Sequence, residues 1–66
     1  MNTSTSPLRQ AREAKGLTQE ELAGRCGVTK QAVSEWELEK SQPGGPALIL
    51  LAAQFLLPVA EVEAWF

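Results

Sequence analysis

The stretch from Thr18 to Trp36 leaves this chain little choice of fold. Thr18-Gln19-Glu20-Glu21 is a capping box, in which the Thr18 hydroxyl and the Glu21 carboxylate satisfy each other's otherwise unbonded backbone amides. Leu22, Ala23 and Cys26 then share one helical face. Gly27 stops that helix where the turn requires a positive φ, and Val28 is the next buried anchor. Thr29 caps a second helix, whose apolar stripe is Val33 and Trp36 with Ala32 beside it. A small side chain is needed where two such helices cross, and Ala23 supplies it four residues before the turn glycine. Cap, crossing residue, turn glycine and stripe agree on two short helices, over residues 18–26 and 29–38, joined by a tight turn. That agreement is more specific than any single match.

The rest of the chain reads as further helices. Residues 1–5 are polar and form a flexible tail, and residues 6–66 form one domain, since a chain of 66 residues needs most of its length for a single core. Ser6-Pro7 starts a helix over residues 7–15, with Leu8, Ala11 and Ala14 on its apolar face and Gly16 ending it. Residues 39–45 form a loop. Pro46 then opens a helix over residues 46–57 in which Gln54 is the one polar residue. Pro58 breaks it, and residues 59–66 give a short fifth helix with Val62, Trp65 and Phe66 inward and Glu61 and Glu63 outward. No stretch alternates with period two. The expected fold is all-α, a compact five-helix domain with its helix-turn-helix in helices 2 and 3.

Composition narrows the function. The chain has no His, Asp or Tyr and a single Cys, so neither a Ser-His-Asp triad nor a His/Cys zinc cluster can be assembled from it. No catalysis, metal or cofactor is expected. Cys26 cannot form an internal disulfide, and its place on the buried face reads as a small hydrophobe. The longest apolar run, residues 47–53, is far short of the roughly 20 residues that span a bilayer. No signal-peptide pattern begins the chain, so a soluble cytoplasmic protein is expected. All six Lys and Arg fall within the first 40 residues, and residues 41–66 carry only Glu61 and Glu63. A net charge of −2 argues against non-specific coating of nucleic acid, though not against binding through one local surface.

These residues resemble the phage repressor and Cro-like (XRE) helix-turn-helix regulators. The resemblance runs from Leu8-Arg9 through Leu17 to Ala23, across Gly27-Val28-Thr29 to Trp36-Glu37, and on from Pro43, covering nearly the whole chain. The segment from Trp36-Glu37 to Pro43-Gly44-Gly45-Pro46-Ala47-Leu48 is most similar to small antitoxin-type members. The resemblance implies that the second helix of the pair enters the major groove of double-stranded DNA. Its outward positions are then Lys30, Gln31, Ser34 and Glu35. Gln31 suits adenine, Lys30 suits guanine or a phosphate, and Glu35 can accept from cytosine N4. An acid facing a polyanion is costly unless paired in that way, so Glu35 departs from the expected pattern.

Thr18 and Gln19 open the preceding helix, whose amides suit a phosphate. Thr29 and the Lys40-Ser41-Gln42 segment are the other expected backbone contacts. The family pairs the Arg matching Arg12 with the acid matching Glu37, so these two are expected to tie helix 1 to helix 3. Ala23, Gly27, Val33 and Trp36 are structural in the same sense.

Helix 4 raises a separate issue. A helix apolar all round must be covered on both faces, and so small a domain can cover one. Burying about 400 Å² of surplus apolar surface is worth roughly 10 kcal/mol gross, before the cost of association. A homodimer through helices 4 and 5 is therefore expected, with Leu50, Phe55, Leu57, Val59, Trp65 and Phe66 at the contact. Trp65 and Phe66 have a second reading, in which they staple helix 5 onto helix 1. The expected function is a dimeric, nucleoid-associated repressor on a palindromic operator. The alternative is an antitoxin or interaction module whose apolar C-terminal part binds a toxin or another protein, with DNA binding for autoregulation.

Overall fold

Each helix of the computed structural model, which describes residues 6–66, begins where a side chain or a proline disposes of free amides. The helices are α1 (Pro7–Ala14), α2 (Gln19–Cys26), α3 (Lys30–Glu37), α4 (Gly45–Phe55) and α5 (Val59–Glu63), and no strand occurs among the described residues. Before α1 the Ser6 hydroxyl accepts from the Arg9 amide at 3.2 Å, and Pro7 stands at the first turn, where it has no N–H to leave unbonded. The α2 capping box is closed in both directions, at 3.0 Å from the Glu21 amide to Thr18 and 2.9 Å from the Thr18 amide to Glu21. Thr29 caps α3 by accepting from the Ala32 amide at 3.1 Å. The expected tail, residues 1–5, lies outside the described residues.

The helix ends share one device. After α1, α2, α3 and α4 a residue in the left-handed region carries the next amide back to a carbonyl five residues earlier: Leu17 to Arg12, Val28 to Ala23, Lys40 to Glu35 and Leu57 to Ala52. Gly16 and Gly27, at φ 70° and 67°, fill this position without steric cost. Glu39 and Leu56 fill it at φ 62° and 56° with a side chain attached. The second case corrects the expected span of helix 4. The helix leaves its axis after Phe55, because Leu57 precedes Pro58 and is held out of the helical region by the proline ring. Trp65 and Phe66 likewise lie beyond the end of α5 at Glu63.

The core takes one fully buried side chain from every helix: Leu8, Leu22, Val33, Leu51 and Val62. Ala23, Cys26, Trp36 and Ala52 complete it. α2 packs against α3 and α4, α4 against α5, and α1 against α3. Ala23 lets α2 lie close to its neighbours, and burial pushes the Cys26 thiol up from its ordinary pKa. Trp65 packs on Phe55, ring centroids 5.8 Å apart, so it fastens the chain end to α4.

α1 differs from the expected pattern. Leu8 and Arg12 are its buried residues, Ala11 is half-buried and Ala14 is exposed. The cause is an acid in α3 that draws Arg12 inward, one turn beyond Leu8.

The αL conformation costs a residue other than glycine about 1–2 kcal/mol. Against that stands about 0.5–1 kcal/mol for the greater freedom of glycine in the unfolded chain. Glu39→Gly is therefore expected to stabilise the fold by about 0.5–1 kcal/mol and raise Tm by a few degrees in a thermal melt. A lowered Tm would show that the Glu39 side chain contributes more than its strain.

Candidate nucleic-acid interface

Two surfaces of the same helix decide what α3 can do. Val33 and Trp36 are buried, which fixes its inner side and turns Lys30 and Gln31 outward as exposed residues, with Ser34 and Glu35 half-buried beside them. The spacing follows from the helical period, since positions three and four apart share a face. Across this face the Gln31 amide nitrogen donates to Glu35 Oε2 at 3.3 Å. Thr29, one residue before the helix, is exposed and its oxygen already accepts the Ala32 amide, leaving the hydroxyl proton to donate elsewhere.

What orients α3 against α1 and the start of α2 is a buried polar network. Arg12 Nε donates to Glu37 Oε2 at 2.6 Å, and Arg12 Nη2 donates to Oε1 at 3.3 Å. Gln19 Nε2 donates to the same Oε1 at 2.9 Å. Arg12 Nη1 donates to the Leu17 carbonyl at 2.8 Å. Both carboxylate oxygens are thus engaged by a planar fork from α1 and an amide from the first turn of α2. Arg12 is 8% exposed and Glu37 6%, and no buried side-chain nitrogen or oxygen is unpartnered among the described residues. The charges are matched and the hydrogen bonds complete, which is the condition under which a buried pair is tolerated.

Above this network lies an open groove of about 650 Å³ between the start of α2 and the side of α3. Arg9, Thr18, Gln19, Lys30, Ser34 and Leu38 are among the residues lining it. It brings together Arg12, Thr18, Gln19, Lys30, Ser34 and Glu37 from the residues to which the sequence points. Arg9, Glu20 and Leu38 join them without a functional signal in the sequence. Arg9 reads as an ordinary helix-surface cation held by Glu13 at 3.0 Å. Leu38 follows the last turn of α3 and is 61% exposed, a position with no periodic signal.

The remaining expected contacts are placed elsewhere. Ser41 and Gln42 line a small hollow with Trp65 and Phe66, and the Gln42 amide donates to the Phe66 carbonyl at 3.2 Å. Lys40 is exposed beyond the end of α3.

On α4, α5 and the link between them, Ile49, Leu50, Leu56 and Val59 are exposed at 58, 41, 85 and 39%. Phe55, Leu57, Trp65 and Phe66 are partly buried and pack against the core. Of the residues expected at a subunit contact, Leu50 and Val59 are thus the open ones, joined by Ile49 and Leu56, which the sequence pattern did not single out. None of the helices is long and apolar enough to cross a membrane among the described residues.

Comparison with known proteins agrees with this geometry. A family model described as helix-turn-helix matches residues 8–62. The HTH-type transcriptional activator BcrR of Enterococcus faecalis is 36% identical over 55 residues, covering 83% of this chain and 27% of that protein. The chain therefore corresponds to about a quarter of that relative's length.

Removing one partner of a buried pair leaves an uncompensated charge. Glu37→Ala is expected to destabilise the domain by about 3 kcal/mol in urea unfolding, whereas the double variant Arg12→Met, Glu37→Met recovers most of that loss. Equal losses in the single and double variants would mean that packing, not charge, holds α3 in place.

Proposed function

The chain belongs to the XRE-type helix-turn-helix family, and from that premise we propose that it is a DNA-binding transcription regulator acting by occupancy of an operator. The observation that carries this reading is the outward face of α3, fixed on a buried network and set beside the polar groove at the start of α2. In this reading α3 enters the major groove with Lys30, Gln31, Ser34 and Glu35 toward the base edges. Thr18, Gln19 and Thr29 take phosphates at the near strand, and the Lys40-to-Gln42 segment takes them beyond α3. Gln19 gives its amide nitrogen to Glu37, so it positions the α2 terminus as much as it contacts DNA. No covalent chemistry is involved, and the site of action is the cytoplasmic nucleoid.

The exposed apolar side chains of Ile49, Leu50, Leu56 and Val59 support a homodimer through α4 and α5. Two such domains related by a two-fold axis read inverted half-sites about 34–36 Å apart. Dimeric occupancy of a promoter represses by excluding polymerase. The relative is named an activator, so a reporter with the selected operator upstream of, and then overlapping, its promoter reads the sign of regulation. A toxin or other protein seated on the same side chains is the alternative occupant.

Selection of bound duplexes from a random library at about 150 mM salt tests the DNA reading, since phosphate contacts alone dominate at low ionic strength. Enrichment of an inverted repeat is expected, and absence of any enriched sequence would refute base reading. Gln31→Ala is expected to cost about 1–3 kcal/mol on the enriched site and little on random duplex. Equal loss on both would remove Gln31 from base readout. Sedimentation at micromolar concentration is expected to show a dimer that Leu50→Glu converts to monomer. A monomeric parent protein would assign these side chains to a different partner.

A further inference from the structure

We propose that Glu35 is a positioning residue that sets the base preference of Gln31, committing it to adenine over guanine. The inference rests on the reading of α3 as the helix that enters the major groove. Gln31 and Glu35 are four residues apart on the outward face, and the Gln31 amide nitrogen donates to Glu35 Oε2 at 3.3 Å. Gln31 is exposed, whereas Glu35 is half-buried.

A primary amide has one oxygen that accepts and one nitrogen that carries two protons. One proton lies on the same edge as the oxygen, and the other points away from it. Adenine presents N7 as acceptor and N6 as donor, so it is met by the edge made of the amide oxygen and the adjacent proton. Guanine presents two acceptors, N7 and O6, and an amide can satisfy both only by giving both protons. A carboxylate that holds the outer proton leaves the adenine edge complete and removes half of what guanine needs. It also fixes which end of the amide is nitrogen, an orientation an isolated glutamine is free to reverse.

The charge acts in the same direction. A carboxylate beside the reading edge is repelled by the acceptor pair of guanine and attracted by the exocyclic amino group of adenine. Glu35, the one acid on the reading face, thus gains a use other than accepting directly from cytosine. The bond to Gln31 also gives that carboxylate a donor within the protein.

The test is duplex selection, at about 150 mM salt, with the full chain and its Gln31→Ala, Glu35→Ala and Glu35→Gln variants, each checked for native circular dichroism. Gln31→Ala identifies the base pair that Gln31 reads. At that base pair the parent protein is expected to select adenine, and Glu35→Ala to relax the choice to adenine or guanine, reducing discrimination by at least about threefold. Glu35→Gln retains an accepting oxygen and is expected to keep the adenine preference. The inference is overturned if Glu35→Ala leaves the Gln31 base pair unchanged, or if it alters only a neighbouring cytosine, which would make Glu35 a direct reader. Absence of any enriched sequence with the parent protein is a separate result, and it overturns the DNA reading on which the inference stands.

Discussion

The contact between Arg12 and Glu37 is the constraint on which the rest of this small fold depends. It joins α1 to the end of α3, and through Gln19 and the Leu17 carbonyl it also fixes where α2 begins. Measured against a pair of well-packed apolar residues, a buried ion pair contributes little net stability, because desolvation offsets most of its Coulomb energy. Its value here is angular. A planar guanidinium meeting both carboxylate oxygens permits one relative placement of the two helices, whereas an apolar contact would allow sliding and rotation. In the proposed reading α3 meets base edges, and a helix in that role needs its orientation fixed more tightly than its stability alone would require.

That need is acute because the helices are short. α1, α2 and α3 have eight residues each, well below the length at which an isolated helix persists in water. They exist because hydroxyl caps start them, back-turned amides end them, and each contributes one fully buried side chain to a common core. Leu8, Leu22, Val33, Leu51 and Val62 are therefore the main apolar anchors of their helices, supported in α2, α3 and α4 by Ala23, Cys26, Trp36 and Ala52. The polar network and the apolar core divide the work: burial holds the helices together, and hydrogen bonds decide how they are turned.

The helix starts are legible in the sequence because their chemistry is local. Ser6-Pro7, the Thr18–Glu21 box and Thr29 each need only residues within one turn. The turn at Gly27 is legible for the same reason. Elsewhere distant residues decide. Arg12 reads as surface by periodicity, and the family resemblance rather than any local pattern points it to Glu37, twenty-five residues along; so paired, it takes the place of Ala14 on the inner side of α1. The ends of α3 and α4 are equally obscure, since Glu39 and Leu56 carry no mark of the left-handed conformation they adopt. Phe55 and Trp65 read as candidates for an outer contact, and their packing on each other depends on a chain reversal at Pro58 that pattern alone does not orient. For the candidate site, the outward residues of α3 follow from the period, while the engagement of Gln19, Gln31 and Gln42 within the protein does not.

The division of the surface follows from the same arrangement. Arg9, Glu20 and Lys30 border the groove, while α4, α5 and the link between them expose apolar side chains. A single domain can bring only a few cations to DNA, and each phosphate neutralised adds about 0.9 to the slope of log affinity against log salt. In the proposed reading one domain therefore gains limited affinity from the backbone and depends on base contacts for the rest. In that reading, pairing two domains doubles both terms. The exposed apolar side chains and the polar groove are thus coupled through affinity. In the proposed dimer, covering Ile49, Leu50, Leu56 and Val59 with a second copy would supply hydrophobic energy and double the number of phosphate contacts.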